Sequence, residues 1–194
     1  MMDDPGDSKR HSRREIAQRI RALPIEERAE RSREIGRRLM LDSAFRQARR
    51  VFAYLSLPSE PSLEPLVGVI TGQTWAFPRV TDEGLLVFHE MAAADLGSSS
   101  AGSLGIREPA PTLHPACGIG QADLILVPGV GFDPVSHARL GRGKGHYDRY
   151  LQQAVDLETP PQIVGIAFDV QLAPLAAEPH DIPMHRILTD RGWC

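Results

Sequence analysis

The sequence predicts an α/β protein built as a single domain. Three observations carry that expectation. Short apolar runs rich in β-forming residues recur along the chain, Val51-Phe52-Ala53-Tyr54-Leu55 first among them. Charged or amphipathic helical segments fall between these runs at the spacing of βα units. The 194 residues are enough for one core of ordinary size, and no internal repeat or linker divides them.

Taken in order, residues 1–7 are expected to be a disordered tail, with the α/β domain occupying 8–194. An N-terminal helical pair spans 8–41. Its first helix runs from Ser8 to about Ala22, with Ile16 and Ile20 one turn apart, and is interrupted at Leu23-Pro24. Its second restarts at Ile25 with Glu26 and Glu27 in the first turn, where the helix dipole favours acids. Two helices thus precede the first strand, Val51–Leu55. A helix over Leu63–Ile70 follows, then strands at Thr74–Phe77, ending at Pro78, and at Leu85–His89. Residues 92–122 are rich in Ala, Gly, Ser and Pro and read as loop. Asp123–Pro128 is the clearest central strand. A glycine-rich connection over 129–145 leads into a helix from Tyr147 to about Leu157, and strands at Ile163–Phe168 and Arg186–Thr189 complete the pattern. Open α/β sheets place ligands at the carboxyl ends of their strands, which directs attention to Glu60, Asp133, Arg139 and Asp169 and their neighbours.

Composition narrows the function. An apolar content of 42% with 24% charged residues argues against wholesale disorder. No apolar run approaches the roughly 20 residues that span a bilayer, and no apolar stretch follows a basic start as in a secretory signal. A soluble, cytoplasmic protein is expected. Two cysteines, Cys117 and Cys194, fit a reducing compartment and form no CxxC or zinc-ligand cluster. The net charge of −3 hides an asymmetry: residues 9–50 carry 14 Lys and Arg against 6 Asp and Glu, while residues 51–194 carry 8 against 16. A basic N-terminal third suits an anionic ligand or a solvated helix face.

The segment Arg139-Leu140-Gly141-Arg142-Gly143-Lys144-Gly145-His146-Tyr147-Asp148 interleaves glycines with cations. Glycines let backbone N–H groups approach a ligand. Three cations and the start of a helix complete an anion cradle, most naturally for phosphates. Asp148 adds a carboxylate of the kind that holds Mg²⁺ beside a polyphosphate. It is not a P-loop, because Gly145 rather than Ser or Thr follows Lys144. Nor is it a dinucleotide fingerprint, because the spacing is G-x-G-x-G, and Gly129-Val130-Gly131 lacks a third glycine at Pro134.

Asp123 through Asp133, followed by Arg139 through Leu151, resembles the signature of the 5-formyltetrahydrofolate cyclo-ligase family. The resemblance extends over nearly the whole chain. The basic N-terminus, Tyr54–Glu60, Phe77-Pro78-Arg79, Gly105-Ile106-Arg107-Glu108-Pro109 and His180-Asp181-Ile182-Pro183 all fall in the family's order. It implies a three-layer α/β/α sandwich around a mainly parallel sheet. It also implies an ATP- and Mg²⁺-dependent cyclisation of 5-formyltetrahydrofolate to 5,10-methenyltetrahydrofolate, through an iminium phosphate, with release of ADP and phosphate. Carried over residue by residue, it places ATP on Arg10, Arg14 and the loop Arg139, Leu140, Gly141, Arg142, Gly143, Lys144, Gly145, His146 and Tyr147. Folate falls on Leu55, Glu60 and Arg142 to His146, and Mg²⁺ on Asp148 and Asp181. The catalytic groups would be Arg142, Lys144 and Tyr147, with Arg142 serving both substrates.

Three departures stand out. Arg10 replaces a usual Lys and Arg13 a usual apolar residue, which leaves the N-terminal register open by one. His146 replaces a usual Tyr or Phe, and Pro61 a β-branched residue.

A monomer acting on small molecules is expected, without nucleic acid or membrane partners. An RNA-binding module is the less economical reading, since the sheet domain is net acidic and aromatics are only 6%. A sugar-phosphate isomerase on a similar scaffold would leave the pair Asp148 and Asp181 unexplained. His180 and His185 lack a third zinc ligand at suitable spacing, and Trp75 and Trp193 read as packing.

Overall fold

The computed structural model describes residues 5–98, 100–101, 107–176, 178 and 181–194. Two helices, α1 (Pro5–Ala22) and α2 (Ile25–Leu41), lead into the sheet through a third short one, α3 (Ser43–Gln47). Helix α1 takes in residues 5–7 of the stretch read as a tail, and residues 1–4 lie outside the described residues; proline is favoured in a first helical turn. Helix α3 was not legible as a separate element. It exists because the Asp42 carboxylate accepts from Phe45 N at 3.0 Å and caps a new helix directly after α2.

The remaining strands are β1 (Arg50–Phe52), β2 (Thr74–Val80), β3 (Leu86–Glu90), β4 (Ser100–Ala101), β5 (Arg107–Glu108), β6 (Ala116–Cys117), β7 (Leu124–Pro128), β8 (Gly131–Phe132), β9 (Arg139–Leu140), β10 (Gln162–Ile166) and β11 (Arg186–Leu188). Helix α4 (His146–Gln152) lies between β9 and β10. Seven strands form one sheet in the order β11-β10-β7-β1-β2-β3-β6. The pairs from β11 through β2 are parallel, and β3 and β6 add an antiparallel edge.

Three expectations are corrected. The segment Leu63–Ile70 is not a helix but a single 3₁₀ turn, Glu64–Leu66, ended by extended Val67 and the positive-φ Gly68 (φ 79°). Strand β2 continues through Pro78 instead of stopping there. Its pairing with β1 ends at Ala76, so beyond that point it has β3 alone as partner and tolerates a proline as an edge strand does. Residues 92–122 and 129–145, read as loop, contain the short ladders β4–β5 and β8–β9.

Side chains alternate between two cores along each central strand. Val51, Leu124, Leu126, Val164 and Ile166 face Ile35, Leu39 and Phe45 of α2 and α3. Phe52, Ile125, Val127 and Ile163 face Phe132 and, from α4, Tyr150 and Leu151. This is the three-layer α/β/α arrangement. Helix α1 packs separately: Ile16 and Ile20 meet Leu140 of β9. Gly131 makes that approach possible, since a Cβ there would stand 2.5 Å from Ile16 Cδ1.

The chain leaves β1 toward β2 on one side and returns to β7 on the other. The carboxyl ends of β1 and β7 therefore diverge at a topological switch point, where open α/β sheets bind their ligands. No helix among the described residues is long and apolar enough to cross a membrane.

Candidate functional site

Two cavities open at that switch point. The first, about 390 Å³, is walled by Tyr54 and Leu55 after β1, by Pro78 and Val80 of β2, and by Gly129 after β7. Glu60, Glu108, Arg139, Arg142, Lys144, His146, Tyr147 and Asp148 bring charge and hydrogen-bonding groups to it. The second, about 420 Å³, is lined by Arg13, Ala17, Ile20 and Arg21 of α1, by Arg28 of α2, and by Ser59, Val130, Gly129 and Arg142. Four arginines and no carboxylate line it. Gly129 and Arg142 belong to both cavities.

The wall after β1 is set by a chain of hydrogen bonds. Tyr54 Oη donates to Pro61 O at 2.7 Å. Burial, with the nearby Glu60 charge, holds this hydroxyl well above its ordinary pKa, so it stays a donor. Glu60 Oε2 accepts from Leu57 N at 3.1 Å, and Glu60 Oε1 accepts from Arg142 Nη2 at 2.9 Å. The same Nη2 reaches Ser59 Oγ at 3.1 Å, and Arg28 Nη1 holds Pro58 O at 2.6 Å. Pro61 does not aim Glu60 away from the loop: its carboxylate is nearly buried and bound at both oxygens.

The glycine loop is shaped by conformations that only glycine adopts without strain: φ is +97° at Gly143 and +65° at Gly145, the residue preceding α4. Buried Arg139 anchors it. Arg139 Nη2 donates to Asp148 Oδ1 at 2.6 Å, and its guanidinium lies 5.4 Å from the centre of the Tyr147 ring. His146 Nδ1 lies 2.9 Å from Gly84 O; a carbonyl only accepts, so the proton is on Nδ1 in this contact. The Tyr147 hydroxyl is buried without a partner among the described residues. Burial first, then the Glu60 charge, pushes its pKa well above the tyrosine range despite the opposing pull of Arg139.

The N-terminal basic residues arrive in a different register from the one expected. Arg10 and Arg14 are exposed and line neither cavity. Arg13 lines the second cavity, and its Nε donates to Gly141 O at 2.8 Å. Lys9 pairs with Glu178 at 2.8 Å and Asp181 at 3.0 Å. Burial lowers the Lys9 pKa, but the two carboxylates outweigh it and the net shift is upward. The reason is helical phase. Ile16 and Ile20 fix the buried face, and positions 13 and 9 fall on it at turn spacing while 14 and 10 point away. That signal was present in the sequence.

Asp148 and Asp181 are each engaged by a cation of the protein. Asp148 lines the first cavity and holds Arg139. Asp181 lines neither cavity; its Oδ2 accepts from Lys9 Nζ and from Glu178 N at 2.8 Å. No three His, Cys, Asp or Glu side chains cluster as metal ligands among the described residues. His180, Gly105 and Ile106 lie outside the described residues. Leu140 is buried beneath the loop against α1 rather than lining either cavity. Arg21, Arg28, Ser59 and Glu108 reach the site only through tertiary structure.

The profile of the 5-formyltetrahydrofolate cyclo-ligase family matches residues 5–190. The 5-formyltetrahydrofolate cyclo-ligase of Mus musculus is 30% identical over 189 residues, 93% of either chain. That of Escherichia coli K12 is 33% identical over 184 residues, 90% of this chain and 96% of its own. That of Mycolicibacterium smegmatis is 36% identical over 148 residues, 74% of each. The solved structure of Aquifex aeolicus 5,10-methenyltetrahydrofolate synthetase superposes with a TM-score of 0.80 at 27% identity, covering 95% of this chain and 91% of that one. The fold, the loop at the switch point and these matches together place the chain in the 5-formyltetrahydrofolate cyclo-ligase family.

Proposed function

We propose that this protein converts 5-formyltetrahydrofolate to 5,10-methenyltetrahydrofolate while cleaving ATP to ADP and phosphate. Folate would occupy the cavity containing Glu60, and the triphosphate the arginine-lined one. The observation that carries this reading is that Arg142 and Gly129 wall both cavities. Two ligands placed there meet at one side chain, as a phosphoryl transfer between them requires.

The chemistry is a two-step displacement. The N-formyl oxygen is a poor leaving group. It attacks the γ-phosphorus, and the P–O bond to ADP breaks. In the resulting iminium phosphate, N10 of the folate attacks the former formyl carbon, the ring closes and phosphate departs. The protein's task is positioning and charge stabilisation. Arg142 stands where charge moves from one ligand to the other. Arg13 is tied to Gly141 O through Nε, which leaves its terminal nitrogens for phosphate oxygens. The Lys144 ammonium has no protein partner among the described residues and is long enough to follow the transferred group. Tyr147 remains protonated and acts as a donor, not a base.

Mg²⁺ does not fit a site made by Asp148 and Asp181 as they stand, since each is held by a cation of the protein. The divalent ion enters this account only as the counterion of the triphosphate, and no step is routed through it.

The test is turnover. Purified protein with 5-formyltetrahydrofolate and Mg²⁺-ATP should give the near-ultraviolet absorption of the methenyl product and one ADP per product. Product without ADP, or ADP without product, contradicts the coupling.

A further inference from the structure

Resting on the folate reading above, we infer that Glu108 is a second substrate-binding carboxylate, which accepts hydrogen bonds from the aminopyrimidine edge of the pterin. Glu108 lies on β5 with 5% of its surface exposed, and it lines the first cavity. No hydrogen bond or ion pair reaches its carboxylate among the described residues. With no such bond, its oxygens are still not fully enclosed.

The adjacent cation does not neutralise it. Arg107 is committed elsewhere: Nη2 pairs with Glu64, and Nη1 donates to Leu96 O at 2.9 Å. An unpaired carboxylate that deeply placed is costly unless a ligand supplies the donors.

The other carboxylate expected to read the pterin has less capacity to do so. Glu60 already accepts from Leu57 N and from Arg142 Nη2, one bond at each oxygen. Among the described residues nothing occupies either oxygen of Glu108. The same cavity is lined by the apolar Pro78, Val80 and Leu86. A planar ring carrying two adjacent N–H donors is the group that suits such a wall. The 2-amino group and N3–H of the pterin offer those donors side by side, the arrangement a carboxylate binds through two parallel hydrogen bonds. Tight rejection of analogues lacking a donor follows when a buried acceptor would otherwise be left unpaired.

The test is Glu108→Gln, with Glu108→Asp made in parallel in case the first does not fold, and thermal melting as the check on folding. The full-length protein is assayed with 5-formyltetrahydrofolate and with its 2-desamino analogue. The wild type should discriminate against the analogue. Glu108→Gln should raise KM for 5-formyltetrahydrofolate by roughly 10- to 100-fold with KM for ATP nearly unchanged, and should lose most of the discrimination. A purely structural role would leave that discrimination intact. Unchanged folate KM with undiminished discrimination, in a variant that melts like the wild type, overturns the assignment of Glu108. Absence of turnover by the wild type would instead overturn the cyclo-ligase reading on which it rests.

Discussion

Tyr147 carries a hydroxyl that the fold buries and that has no partner among the described residues. Such a group is either a cost or a contact waiting for a ligand. Its pKa lies well above the usual range, so it stays protonated through neutral and mildly alkaline pH and cannot produce an alkaline limb in the rate profile. Tyr147→Phe should therefore leave thermal stability unchanged or slightly higher while lowering kcat/KM by about tenfold; unchanged kinetics would show that the hydroxyl meets neither substrate. The Arg139–Asp148 pair makes a related point about reading single residues. From the sequence, Asp148 beside a glycine-rich loop points to a metal. In the structure it accepts from a buried guanidinium, and the loop's shape depends on that bond. The residue types were legible at this scale, but not their partners, because Glu60 and Arg142 are 82 positions apart and meet only after folding.

Among the elements, helix α1 has the sharpest consequence for function. Its buried stripe of Ile16 and Ile20 directs Arg13 into the second cavity and leaves Arg14 in solvent. Arg13→Ala should raise KM for ATP about tenfold, whereas Arg14→Ala should stay near wild type; equal effects would mean that the helical phase does not decide which arginine binds. The β8–β9 hairpin has its own safeguard in Asp133, whose carboxylate accepts from Val135 N and Ser136 N in the turn and from Leu175 N beyond it. Burial alone would raise its pKa, but these N–H groups outweigh it and the net shift is downward from 3.8. A depressed carboxylate contributes stability that is present above its unfolded pKa and lost as the pH falls through the folded one. Asp133→Asn should thus be less stable than wild type by about 1–3 kcal/mol near neutrality. That gap should close below pH 3.8, the ordinary value. A gap independent of pH would remove the charge from the explanation. The short helix 43–47 and the ladders pairing 100–101 with 107–108 and 131–132 with 139–140 escaped sequence reading because elements so short have no period to detect.

For the molecule as a whole, the α/β class and the positions of the central strands along the chain were legible because parallel strands covered on both faces are continuous apolar runs. Leu124 to Val127 and Ile163 to Ile166 are such runs, and both became central strands. The position of the site followed from topology as well, since the switch point between β1 and β7 depends only on connection order. What was not legible is the division of that site into an arginine-lined cavity and one walled by Glu60 and Glu108, because helices α1 and α2 reach the first of these only by packing. In the proposed reaction Arg142 joins the two cavities and touches a different substrate from each. Calorimetric titration of a non-hydrolysable ATP analogue into protein already saturated with 5-formyltetrahydrofolate tests it most directly. The account predicts a ternary complex with one of each ligand, and Arg142→Ala should weaken both about tenfold. Mutual exclusion of the two ligands, or an Arg142→Ala variant that binds each as tightly as the wild type does, would contradict it.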